Sequence, residues 1–197
     1  MMDTLVQALR PLSAPPEGPA WNHGDVDEWL GYQVRQPAAV LLGIREGVQP
    51  RLVFTVRDAR LPAHAGQVAF PGGRSEPQDV DAVDTALRES EEEIGLDRAL
   101  VTPLGFLDRF ETISGYCVTP VVASIASEAR LYPSPDEVAE VFEVPLAFLL
   151  DPANLRRYTM EFRGRQRPMG EFVHAGHRIW GATAAMLCNL LERMDRT

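Results

Sequence analysis

The sequence predicts an α/β fold, a mixed β-sheet lying between helices, and three observations carry that prediction. Short apolar runs with β-branched and aromatic content, at 38–44, 51–56 and 118–125, are set between turn-forming residues and read as strands. Residues 81–94 instead place Val83, Ala86, Leu87, Ser90 and Ile94 at helical spacing, one buried stripe along a helix. Trp180, Ala184, Leu187 and Leu191 repeat that spacing and close the chain with a further helix.

Taken in order, a short helix precedes residues 11–20, whose four prolines make an irregular entry segment. Residues 1–36 are thus expected as a helical, proline-rich lead-in packed on a domain spanning 37–197. Strands at Ala38–Ile44 and Arg51–Val56 are separated by a glycine-bearing turn, and a short strand at Gln67–Phe70 leads into Gly72-Gly73. The first long helix runs from about Asp81 to Ile94, with Asp79 or Asp81 as its cap, and Gly95 ends it. Strands follow near Leu104–Leu107 and Val118–Ile125, and Pro145–Leu150 reads as a short helical turn. Tyr158–Phe162 and Gly170–Ile179 read as a late hairpin around Arg163-Gly164, before a final helix at Trp180–Arg196.

Composition narrows the class. A chain of 197 residues with 45% hydrophobic content fits one domain with a sizeable core. Two cysteines, Cys117 and Cys188, make neither a zinc framework nor a disulfide scaffold, and their apolar surroundings suit reduced, buried thiols. No basic region followed by an apolar run opens the chain, and no stretch approaches the ~20 apolar residues of a membrane span. A reducing cytoplasm is the expected setting. A net charge of −9 disfavours sequence-independent nucleic-acid binding, yet it does not oppose an anionic ligand at a metal, which inverts the local sign.

The helix at 81–94 carries the most informative chemistry. Glu89 and Glu93 stand one turn apart, with Glu92 beside them, and the three carboxylates fall within an arc of roughly 100° bordering the apolar stripe. A run of acids is usually a solvated face. These acids, however, occupy the last turns, where the helix dipole disfavours negative charge. Such a cluster calls for compensation, and hard divalent cations such as Mg2+ prefer oxygen ligands. Arg88 can reach Glu92 at i,i+4 or Glu91 at i,i+3.

Phe70-Pro71-Gly72-Gly73 followed by Arg88-Glu89, Glu92-Glu93, Gly95 and Leu96 resembles the Nudix box, in which a glycine precedes an acid and then R-E-U-x-E-E-x-G-U, with U aliphatic. Asp79 stands where that pattern has its first Glu, eight residues rather than seven separate it from Arg88, and Ser90 replaces an aliphatic residue. The one-residue expansion is similar to the coenzyme A diphosphatase branch. That branch also carries an upstream signature to which Thr55, Gly66, Phe70, Pro71, Gly72 and Gly73 conform in spacing. Pro62 departs from it, occupying the position of an arginine, and Arg60 lies two residues earlier. Further likeness lies in Ser114-Gly115-Tyr116 and Trp180-Gly181-Ala182-Thr183-Ala184.

The resemblance implies a Nudix-type α/β/α sandwich with a mixed β-sheet. It also implies Mg2+- or Mn2+-dependent hydrolysis of the diphosphate of coenzyme A or a derivative. Glu89, Glu93 and Glu92 are then the expected metal ligands, joined by the Gly73 carbonyl, with Arg88 orienting the carboxylates. The general base stays open between Glu89 and acids of a later loop, Glu137 above all. Arg57 and Arg60 are placed to reach phosphates, while His64, Phe70 and Gly72 are further candidates for contacts to the nucleotide. Arg156, Arg157, Arg163, Arg165 and Arg167 either protect an edge strand or form a phosphate-binding or dimer surface. Three alternatives stand beside this reading: hydrolysis of another nucleoside diphosphate such as ADP-ribose or NADH, a catalytically silent nucleotide-binding protein, and an isoprenoid diphosphate isomerase using Cys117. A homodimer is expected to be compatible with the fold.

Overall fold

Strand β1 (Gln36–Arg45) alternates its side chains between two separate cores. Leu42 and Ile44 enter one cluster with Phe54, Val122 and Leu187, while Ala39 and Leu41 enter another with Ala86, Ile94 and Val121. A strand buried on both faces must be covered on both, so the chain builds three layers. The computed structural model describes residues 1–24, 26, 35–162 and 164–196.

Around β1 the eight-stranded mixed sheet is assembled from both edges. On one side β7 (Tyr116–Ile125) runs parallel to it from Gln36↔Tyr116 to Arg45↔Ile125, and β5 (Val101–Phe106) and β6 (Phe110–Glu111) pair antiparallel with β7. On the other side β2 (Arg51–Arg57) pairs with β1 only at Ile44↔Leu52 and Arg45↔Arg51. The two strands then diverge. β1 takes β4 (Gly72–Arg74) as its neighbour, whereas β2 takes β3 (Val68–Ala69) on that edge and β8 (Val138–Pro145) on the other. Phe70-Pro71 crosses from one arm of this fork to the other, and the Leu41 N–H donates to the Pro71 carbonyl (2.8 Å). The fork is what places the glycine pair.

One face of the sheet is covered by α2 (Ala82–Ile94). The opposite face receives α1 (Met2–Ala8), α3 (Leu146–Leu150) and α4 (Gly181–Asp195), through Leu5, Leu146, Leu149, Ala184, Leu187 and Leu190. A second, antiparallel sheet of β9 (Arg156–Phe162), β10 (Arg165–His174) and β11 (His177–Ile179) adds Phe172 and Ile179 to that core.

Several boundaries differ from those the sequence predicts. The strand expected over 170–179 is two strands, because Ala175 and Gly176 both adopt positive φ (48° and 87°) and turn the chain between His174 and His177. Strand β8 was not anticipated: Glu140 and Glu143 interrupt its apolar pattern, and much of it is only half-buried. β4 and β6 are too short to announce themselves. Arg163, the centre of the expected hairpin turn, lies outside the described residues.

Phe54 is fully buried and stacks against Phe70 and Phe142, with centroids 5.0 and 5.5 Å away. Truncating a ring so enclosed leaves a cavity as well as losing transfer energy. Phe54→Ala is expected to cost about 3–5 kcal/mol in urea unfolding. A loss below about 1 kcal/mol would refute the assignment of these three rings as the packing centre beneath β2.

Candidate active site

Helix α2 is fixed at both ends by its own sequence. Asp81 caps it, its carboxylate accepting from the Asp84 N–H, and Gly95 closes it at φ 60° with its N–H donating to the Glu91 carbonyl. Of the two candidate caps, Asp81 serves, and Asp79 is released for another task. Ser90, unusual at an aliphatic position, is fully buried and donates its hydroxyl to the Ala86 carbonyl (2.7 Å), so its polar group is satisfied inside the helix. The buried stripe also takes in Thr85 and Glu93. Glu93 is only 4% exposed, deeper than the border position its helical angle suggests.

Arg88 is the hub. Its Nε and Nη2 donate to the two oxygens of Asp79 (2.8 and 2.9 Å), a bidentate pair in which the Asp79 side chain is 3% exposed. Nη1 donates to Glu89 (3.0 Å) and Glu92 (3.3 Å), and Nη2 also reaches the Arg74 carbonyl (3.1 Å). The Arg88 fork holds the Asp79 carboxyl well below the usual carboxylate range, aided by hydrogen bonds from the Glu76 N–H and the Thr85 hydroxyl. Glu92 is reached as the helical spacing predicts, but Glu91 pairs with Arg98 instead (3.5 Å).

Glu89 and Glu93 meet the glycine turn. The Gly72 N–H donates to Glu93 Oε2 (3.1 Å), and Arg57 Nη1 lies 3.8 Å from Glu93 Oε1. Burial outweighs both and pushes the Glu93 carboxyl up to about 7, with the neighbouring Glu89 and Glu137 charges adding to the rise. Burial likewise raises Glu89, against the opposing pull of Arg88. Gly72 holds φ 151° where a Cβ would strike the Ala39 carbonyl at 2.4 Å, and a Cβ on Gly73 would fall 2.5 Å from the Glu89 carboxylate. Two glycines therefore let backbone and carboxylates share one small space.

That space suits a divalent cation: two under-compensated carboxylates beside a carbonyl-bearing glycine turn offer the hard oxygen donors such ions prefer. Among the described residues, no three acidic, imidazole or thiol groups converge as a ready ligand set. Arg88 holds Glu89 and Glu92, and Gly72 holds Glu93.

The remaining candidates divide. Glu137 is brought close enough to act on both Glu89 and Glu93, and its carboxylate has no hydrogen-bond partner among the described residues. Arg57 faces Glu93, and its buried Nε likewise lacks a hydrogen-bond partner there. Arg60 is engaged by Asp58 and the Pro135 carbonyl. His64 is exposed at φ 58° and shares a hydrogen bond with Gln67 (2.9 Å). Phe70 is a core ring, 2% exposed, so its expected contact with a nucleotide is corrected to packing against Phe54. Cys117 is a free, half-buried cysteine whose thiol burial raises, the setting of an inert rather than a reactive group. Of the basic cluster, Arg156 pairs with the buried Glu171 (3.2 Å), while Arg163 and the side chain of Arg165 lie outside the described residues.

Comparison with known proteins gives the family and the fold. The NUDIX domain family matches residues 34–162, and the chain belongs to the Nudix family. It is 42% identical over 170 residues to the Nudix hydrolase NudL of Pectobacterium atrosepticum, covering 84% of this chain and 86% of that protein. NudL of Photorhabdus laumondii is 40% identical over 158 residues, covering 80% and 84%; both relatives are themselves uncharacterized. Among solved structures, the Nudix hydrolase RenU of M. smegmatis superposes with TM-score 0.54 at 20% identity, over 84% of this chain and 89% of that one. The MutT protein of Methanosarcina mazei gives 0.51 at 19%, over 84% and 96%. These likenesses show the mixed α/β fold. The protein is a Nudix hydrolase acting on a nucleoside diphosphate derivative, and Nudix hydrolases generally use divalent metal ions. Among the described residues no helix is long and apolar enough to cross a membrane.

Two outcomes follow for the acids. In the unfolded chain Glu93 ionises near 4.5, whereas the native group keeps its proton to about 7. Its contribution to stability is therefore full at low pH and is lost as pH rises between these values. Metal-free protein should lose melting temperature across that window, and Glu93→Gln should flatten the slope while lowering turnover by roughly 100-fold or more. An unchanged slope, or near-normal turnover at saturating Mg2+, would defeat the assignment. For Asp79→Asn, which breaks a buried ion pair, we expect a loss of about 3 kcal/mol in denaturant unfolding. A neutral result would show that Arg88 does not depend on Asp79.

Proposed function

We propose that the chain hydrolyses the diphosphate linkage of coenzyme A or its thioesters with Mg2+ or Mn2+, giving 3′,5′-ADP and 4′-phosphopantetheine or its acyl form. One observation carries the substrate. The segment that resembles the coenzyme A branch, residues 53–73, lies along β2 and the fork and delivers Arg57 and Gly72 directly to Glu93. Gly72 and Gly73, which conform to that resemblance, are thus neighbours of Glu93 and Glu89, while Arg57 stands where the signature has another residue.

Glu89, Glu93 and Glu92, with the Gly73 carbonyl, are the groups that would hold the cation. When bound, the ion neutralises diphosphate charge and eases deprotonation of the attacking water. The chain's own residues supply the rest. Arg57, whose partly exposed guanidinium stands beside Glu93, offers an Nη–H to a phosphate oxygen. Glu137, whose carboxylate is not held by any hydrogen bond among the described residues, takes the proton from water. Arg88 keeps Glu89 and Glu92 from turning away and does not touch substrate.

Pro62, standing where the coenzyme A branch has an arginine, favours a second reading: a Nudix hydrolase of another nucleoside diphosphate, such as ADP-ribose or NADH. Hydrolysis of the three compounds with Mg2+, with products resolved by mass spectrometry, separates them. Release of 3′,5′-ADP from coenzyme A at the highest kcat/KM is the expected result. Preference for ADP-ribose or NADH would sink the coenzyme A reading while leaving the Nudix chemistry in place.

A further inference from the structure

The loop carrying Glu137 is fastened to the site from three directions. The Ser134 N–H donates to the Glu93 carbonyl (2.8 Å), tying the loop to the last turn of α2. The Asp58 N–H donates to the Glu137 carbonyl (2.9 Å), extending the β2–β8 ladder one step past the irregularity between Val56 and Arg57. The third tie is a side chain. Arg60 Nη2 donates to the Pro135 carbonyl (2.5 Å), the residue between those two backbone anchors.

Arg60 is preset for that reach. Asp58 Oδ1 accepts from both the Arg60 N–H and Nε (2.8 Å each), and Oδ2 accepts from Nη2 (3.3 Å). The Asp58 side chain is 16% exposed and the Arg60 side chain 69%, so the carboxylate is the anchor and the guanidinium the arm. Asp136 adds a second negative charge near the same guanidinium. The arginine is thereby committed within the protein, which argues against its serving as a free phosphate contact. An exposed pair of this kind contributes little to overall stability. What it fixes is geometry.

We propose that Arg60 is a positioning residue: bridging Asp58 and the Pro135 carbonyl, it latches loop 134–137 onto the end of β2, beside the Ser134 tie to α2, and so aims Glu137 at the Glu89–Glu93 pair. This rests on the reading of Glu137 as the proton acceptor. It also gives the arginine two residues before Pro62 a task of its own.

The test is a double-mutant cycle of Arg60→Ala and Glu137→Gln on whichever nucleoside diphosphate the wild type hydrolyses best, with amide exchange followed at Ser134 and Glu137. Arg60→Ala should lower kcat by roughly 10- to 100-fold and change KM by less than about twofold, the signature of lost alignment rather than lost binding. Exchange at the two amides should accelerate, and the double variant should be no slower than Glu137→Gln alone. A rise in KM at unchanged kcat would overturn the latch in favour of a phosphate contact. Additive losses, unchanged exchange, or a fully active Glu137→Gln would each overturn it too. Preference of the wild type for a substrate other than coenzyme A bears only on the substrate reading, and the cycle is then run on that substrate.

Discussion

Three acidic groups of the site, Asp79, Glu89 and Glu92, lean directly on the Arg88 guanidinium. Glu89, Glu92 and Glu93 crowd the last turns of α2, where mutual repulsion and the helix dipole both oppose them. Arg88 offsets part of that repulsion by taking Glu89 and Glu92 on one edge of its fork. Its other edge is locked by the buried Asp79, and Nη2 also reaches the Arg74 carbonyl at the end of the glycine turn. One planar cation thus ties three pieces of backbone, and a lysine, with a single point charge, could not hold both edges. The distance between the glycine turn and the helix depends on this link.

The sheet supplies the other half of the arrangement. Because β1 and β2 part after two residue pairs, a gap opens that the 70–73 segment fills with two glycines. Gly73 has no Cβ to obstruct Glu89, and the Gly72 N–H turns toward Glu93. Desolvation there is only partly offset, as the raised Glu93 carboxyl records. A carboxylate held in that state gains most from a cation, since binding relieves the same burial penalty that raises its pKa.

The sequence revealed the parts of this arrangement that are local. The stripe on α2, its Gly95 terminus and the strands at β1 and β7 follow from periodicities within a single segment. The acidic trio was legible for the same reason: its peculiarity is a matter of helical angle and dipole. Burial of Glu93 was not, because the fork in the sheet that closes over it is a pairing between residues far apart in sequence. Asp79 could be matched to a motif position but not to its partner, since its bond to Arg88 spans a turn and a helix. Strand β8 shows no period-2 alternation because Glu140 and Glu143, three residues apart, fall on opposite faces, and Glu143 is half-buried against Arg45. Phe70 misled in the opposite sense. Its place beside the glycines suggested a ligand contact, but the crossing between the arms of the fork puts its ring into the Phe54 stack.

The same division separates chemistry from specificity. The carboxylates sit on a helix capped at both ends and anchored by a buried ion pair, so their mutual placement is set by the fold. The groups around them, Arg57, the 58–66 loop and the 134–137 loop, are held mainly by backbone bonds and one exposed arginine. Loops fastened in this way can change their side chains, as at Pro62, without disturbing α2. A Nudix hydrolase can therefore keep its acidic helix while exchanging the substrate it cleaves, and fold likeness at about 20% identity shows the fold alone. On the proposed reading, substrate preference lies in the residues that line the fork rather than in the box that names the family.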